Sequence, residues 1–176
     1  MTEPTEFSRI VKVDTLPRDG LRQKIAADET ERAALARRFK LPSVQSLAAE
    51  FHVTRSGRGA RVRGEARAQV TQTCIVSLEP FPAEVVEEID VRFAPVVAEK
   101  RQPKIEEEVR FELEDEPDPL IDGQVDLGEL AAEFIALGLE PYPRKPGVAF
   151  EAPEEDAEEP SPFSTLESLR NRRERE

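Results

Sequence analysis

Between Leu47 and Val70 apolar and polar residues alternate with a period of two, and the alternation breaks once, at Ser56-Gly57-Arg58-Gly59. An extended chain puts every second side chain on the same face, so such a stretch must lay one face against a core. Leu47, Ala49, Phe51 and Val53 share one face of the first half, opposite Ala48, Glu50, His52 and Thr54. The second half carries Ala60, Val62, Gly64, Ala66, Ala68 and Val70 on one side, and Arg61, Arg63, Glu65 and Arg67 on the other. The break reads as a hairpin loop, because glycine accepts the positive φ of tight turns.

Other segments extend the pattern. Val85, Ile89, Val91 and Phe93 predict a third strand that Pro95 stops. Residues 96–108 are polar and read as a loop, and Val109, Phe111 and Leu113 alternate with charged neighbours as a further strand. The acidic turn Glu114–Pro119 ends that strand. Near the start, Phe7, Ile10, Val11 and Val13 form a short β-prone run that closes at the turn Leu16–Gly20.

Two helices are expected. The first follows that turn, capped by Asp28 or Thr30, with Leu35, Ala36 and Phe39 in one stripe and Arg37, Arg38 and Lys40 at its C-terminal end before Pro42. The second opens at Asp126, with Glu129 placed for a capping box. Leu127, Leu130, Ala131, Phe134, Ile135 and Leu137 supply its apolar face before Gly138 and Pro141. The reading is α+β: an antiparallel meander that could close towards a barrel, with two main helices, over residues 1–148. Residues 149–176 read as an acidic, mostly disordered tail, since six of the ten residues 151–160 are acidic and two are proline.

Charge is unevenly spread. Residues 1–78 carry 14 Lys+Arg and 9 Asp+Glu, residues 79–176 carry 11 and 28, and the whole chain has net charge −12. Such asymmetry points to charged partners, while the acidic total argues against tight non-specific nucleic-acid binding by the molecule as a whole. No apolar run approaches the ~20 residues of a membrane span, and the N-terminus resembles no targeting signal, so the cytoplasm is expected and a membrane is not.

Catalytic constellations are missing. His52 is the only histidine and falls on an outward strand face, and Cys74 is the only cysteine. A lone thiol makes neither an intramolecular disulfide nor a cysteine-rich zinc site. The acids of 114–122 fit no calcium loop, and no phosphate-binding glycine motif occurs. The chain is therefore expected to have no catalytic residue, cofactor, metal or small-molecule substrate.

Arg55, Arg58, Arg61, Arg63 and Arg67 fall within 13 residues across the hairpin. Guanidinium groups on one outward face could grip phosphates bidentately, or they could form an ordinary solvated face paired with the acidic half of the chain. No aromatic platform accompanies them, so any RNA contact would read backbone or shape. In the tail, Phe163, Leu166 and Leu169 share one side of a helical turn beside Arg170, and read as a short docking motif.

Three blocks in order resemble the YceD family of large ribosomal RNA subunit accumulation proteins. They are Gly64–Phe81 with Cys74-Ile75-Val76-Ser77, Val125–Pro143 with its Leu139-Glu140-Pro141 end, and Pro162–Arg170. Many relatives carry Cys-x-x-Cys in the first block and a further His or Cys after the second. Here Ser77 takes the second cysteine's place and Arg144-Lys145-Pro146-Gly147 follows the second block, so no metal or dithiol role carries over. The resemblance implies support of 23S rRNA and large-subunit assembly in a bacterium, with no established reaction. The expected partner is ribosomal RNA or a pre-50S particle, met through the hairpin arginines. The alternative is an adaptor whose acidic half and docking motif hold a basic ribosomal protein.

Overall fold

The computed structural model describes residues 5–95 and 117–150. In chain order these form β1 (Ile10–Lys12), a 3-10 turn (Val13–Thr15), β2 (Leu21–Ala26), α1 (Glu29–Arg38), β3 (Ser43–Ser56), β4 (Gly59–Thr73), β5 (Pro80–Pro95), β6 (Asp118–Leu120), β7 (Gln124–Asp126) and α2 (Leu127–Gly138).

β3 and β4 pair antiparallel from Ser43↔Thr71 to Ser56↔Gly59, around the two-residue turn Gly57-Arg58 with Gly57 at φ +58. The apolar alternation sets their register. Val53 faces Val62 and Ala49 faces Ala66, and all four are buried. One irregularity lies between Val44 and Ser46. The bulge at Gln45 inserts a residue, so Val44 and Leu47 both reach the core although their spacing is odd.

β2 joins the far side of β3, and β5 pairs along nearly the whole of β4. α1 packs on β3, and α2 packs on β5, β4, β3 and β1. Between helices and sheet lie Phe7, Leu35, Leu47, Phe51, Leu127 and Ile135, all essentially inaccessible to water. Burying each such side chain stabilises the fold by about 1.5–3 kcal/mol.

Both helices begin on aspartate caps. Asp28 accepts the Glu31 N–H at 2.9 Å, and Glu31 Oε2 accepts the Asp28 N–H at 2.8 Å, a reciprocal capping box. Asp126 Oδ1 accepts from Gly128 N at 3.0 Å, Glu129 N at 3.3 Å and Arg9 N at 2.7 Å. Glu129 does not complete a box there. Its carboxylate turns to Arg38 of α1, at 2.9 and 2.5 Å, and so ties the two helices together.

Several expectations need correction. The sheet is mixed rather than an antiparallel meander, because β6 runs parallel to β5 through Phe93↔Asp118 and Pro95↔Leu120. It is open rather than a barrel: the order is β2-β3-β4-β5-β6, and β1 and β7 form a separate antiparallel ribbon. A strand, β2, stands where the chain was read as passing from turn to helix. Its inward side offers Leu21, Gln23 and Ile25, too mixed a set to signal a strand. Leu137 is 81% exposed and does not belong to the buried face of α2: it stands in the last turn of the helix, about 200° around from the buried Ile135. The expected loop 96–108, the strand around Val109, Phe111 and Leu113, and the tail beyond residue 150 lie outside the described residues. By internal contacts, Met1–Pro146 forms one unit and Gly147–Glu176 another.

Candidate nucleic-acid interface

The helices cover one face of the five-stranded sheet, and the other face carries polar side chains in cross-strand rows fixed by register. Starting from the β3–β4 turn, the first row is Thr54, Arg61 and Arg92. The next is Arg22, His52, Arg63 and Asp90. A third holds Lys24, Glu50, Glu65 and Glu88, and a fourth Ala26, Ala48, Arg67 and Val86. Four guanidinium groups and a single carboxylate, Asp90, therefore stand in the first two rows. A predominantly acidic row follows.

Arg61 meets Asp90 through two hydrogen bonds of 2.7 Å, from Nε and Nη2, the fork-on-carboxylate geometry. Arg63 Nε lies 3.3 Å from the same carboxylate. Asp90 is held below the usual carboxylate range, first by the Arg61 hydrogen bond. One carboxylate thus aligns two guanidiniums without neutralising both. The Arg63 side chain keeps 58% of its surface in solvent, enough to meet a second anion.

The five sequence-selected arginines do not form one group. Arg61 and Arg63 share the outer face, and Arg58 is exposed at the adjoining turn. Arg67 lies beyond the acidic row and pairs with Glu65 at 2.5 Å. Arg55 belongs to the alternation set of Phe51 and Val53, so it projects from the opposite face, where Nη2 donates to the Asp14 carbonyl at 2.5 Å. Two members of the patch were missed. Arg22 sits on β2, an unexpected strand, and Arg92 enters only through its pairing opposite Arg61. The alternation of Val91 and Phe93 held a usable signal, since it already placed Arg92 outward. Phe163, Leu166, Leu169 and Arg170 lie outside the described residues.

His52 is half-buried in the second row, its Nε2 3.3 Å from the Asp19 carbonyl. Cys74 is fully buried. The Ser77 hydroxyl foremost, then the backbone N–H groups of Ser77, Lys145 and Val76, draw its thiol down to about 6. The same turn receives the second block of the sequence. Ile75 N donates to the Pro143 carbonyl at 2.9 Å, and Lys145 pairs with Glu79 at 2.7 Å. Here the thiol organises a turn from within the protein. Among the described residues no cluster of three or more His, Cys, Asp or Glu could hold a metal ion. Nor is any helix there long and apolar enough to cross a membrane.

Fold and surface together define, among the described residues, an α+β protein with helices on one side of its sheet and a basic end on the other. The family model of the large ribosomal RNA subunit accumulation protein YceD matches residues 62–170, more than half of the 176-residue chain, and the chain belongs to that family. No curated protein and no solved structure matched the chain. The matched span includes Arg63, Asp90 and Arg92, whereas Arg22 and Arg61 precede it.

Proposed function

We propose that this protein is a non-enzymatic cytoplasmic factor that supports 23S rRNA accumulation and large-subunit biogenesis by holding phosphates of ribosomal RNA, free or in an early pre-50S particle. The contact is made by the first two rows of the bare sheet face. Arg22 and Arg63 supply donors there, Arg61 and Arg92 add charge beside them, and Arg58 adds charge at the turn. Family membership supports the ribosomal role. The observation that carries the RNA contact is the gathering of Arg22, Arg61 and Arg63 around one carboxylate, Asp90, on adjacent strands, with the Arg63 side chain 58% in solvent.

Such a face positions RNA rather than reading its bases, because it has guanidinium forks and no aromatic platform. The acidic third row bounds the contact and turns a polyanion away from the rest of the sheet. With few phosphates engaged, binding is weak and salt-sensitive, as suits a factor that must leave the finished subunit.

A titration of 23S fragments over a range of salt concentrations tests this. Binding should weaken with salt, and each guanidinium removed should lower the log–log slope by about 1. Absence of binding at low salt, or an Arg61→Ala/Arg63→Ala protein that binds like the wild type, overturns the reading. Ribosomal-protein partners that survive nuclease treatment in a pull-down would favour an adaptor role instead.

A further inference from the structure

A groove of about 580 Å³ opens where the start of α2, the N-terminal strand and the β6–β7 hairpin meet. Its apolar lining includes Ile10, Phe93, Pro119, Ile121 and Leu130. Ile10 and Ile121 are 60% and 67% exposed, unusual for branched aliphatic side chains that share one concavity. Phe93, by alternation, points to the opposite face of β5 from Arg92, so the groove is separate from the arginine rows.

The rim is acidic: Asp118, Asp122, Asp126, Glu129 and Glu133 line it, and among the described residues no lysine or arginine does. Two of these acids are already occupied, Asp126 as helix cap and Glu129 by Arg38. Asp118, Asp122 and Glu133 have no cationic partner among the described residues. Partial desolvation foremost, then the charge of Glu129, pushes the Glu133 carboxyl up, and the charge of Arg38 offsets this only in part.

We propose that this groove docks a cationic segment of a partner protein, with one or two aliphatic side chains seated between Ile10 and Ile121 and flanking arginine or lysine side chains on Asp118, Asp122 and Glu133. An apolar floor within an anionic rim, three of whose acids form no ion pair among the described residues, is complementary to such a segment in both respects. Nucleic acid is the wrong sign for it. The assignment does not rest on the RNA reading, and it uses other residues.

The full-length protein is titrated, by fluorescence anisotropy, with a labelled short peptide that alternates arginine and leucine. A second peptide replaces each leucine by serine. The arginine–leucine peptide should bind, and the arginine–serine peptide should bind about tenfold or more weakly. Ile121→Ser and Glu133→Lys should each weaken binding by a similar factor, while Arg61→Ala leaves it unchanged. Both substituted side chains are exposed, and coincident thermal unfolding curves verify that the variants are folded. Equal binding of the two peptides would mean diffuse attraction to an acidic chain and overturn the proposal, as would wild-type binding by both groove variants. Failure here leaves the salt titration of the arginine face untouched.

Discussion

Glu31 serves three donors at once. Its carboxylate takes the Asp28 N–H of the capping box and both terminal nitrogens of Arg9, at 2.7 and 3.0 Å. Arg9 in turn lies 4.8 Å from the centroid of the Phe7 ring. The Arg9 hydrogen bond foremost holds the Glu31 carboxyl below its ordinary range. A carboxyl depressed in the folded state binds its proton more readily once unfolded, so its contribution is complete above the ordinary glutamate value and lost as pH falls through the lower folded value. Glu31→Gln should therefore lower the midpoint of thermal unfolding at neutral pH and flatten its fall towards acid, as calorimetry over a pH series would show. An equally steep acid fall in the variant would contradict this. The sequence offered Asp28 or Thr30 as the cap and gave no sign of Arg9 beside Glu31, because the two meet only when the N-terminal segment folds across the start of α1.

At the scale of elements, the β3–β4 hairpin combines a strong local pattern with one tight tertiary fit. Gly64 pairs with Phe51, and a Cβ there would sit 2.2 Å from the Glu50 carbonyl oxygen and 2.8 Å from Phe51 Cδ1. The backbone oxygen cannot step aside without disturbing the ladder. Gly64→Ala should then destabilise the fold by about 1–3 kcal/mol, measurable by denaturant titration with the slope unchanged. A neutral effect would show that β3 and β4 can separate freely at that pair. Strands with long alternation, β3 and β4 above all, were legible because most of one face of each is buried. β2 and β6 were not. β2 is an edge strand whose partner lies more than twenty residues onward, and β6 is three residues that include a proline. Short edge strands acquire their conformation from the neighbour they pair with, so local composition says little about them.

At the scale of the molecule, the sheet face opposite the helices divides, among the described residues, into a basic end and an acidic band. The division predicts unequal roles for arginines adjacent in sequence. Removing Arg61 and Arg63 together should weaken binding to a 23S fragment about tenfold or more at low salt, while Arg67→Ala should change it little. Gel-shift titrations of the two proteins in one buffer would decide. A loss with Arg67→Ala as large as with the pair would mean that the acidic row does not bound the contact. The arginine cluster itself was visible in the sequence, but its membership was not, since strand partners rather than chain neighbours decide which charges share a row.

What the sequence determined by itself was whatever one segment dictates to itself or shows in motif order. That covers the hairpin and its inward face, the Asp126 cap of α2, the outward direction of Arg61, Arg63 and Arg67, and the likeness to the YceD family. Tertiary structure alone decided the parallel β5–β6 pairing, the open edge-to-edge order, the departure of Arg55 and Arg67 from the patch, and the arrival of Arg22 and Arg92. The physical reason is range. Side-chain alternation and capping act within a few residues, whereas the charge a guanidinium meets is set by strands brought beside it from distant parts of the chain.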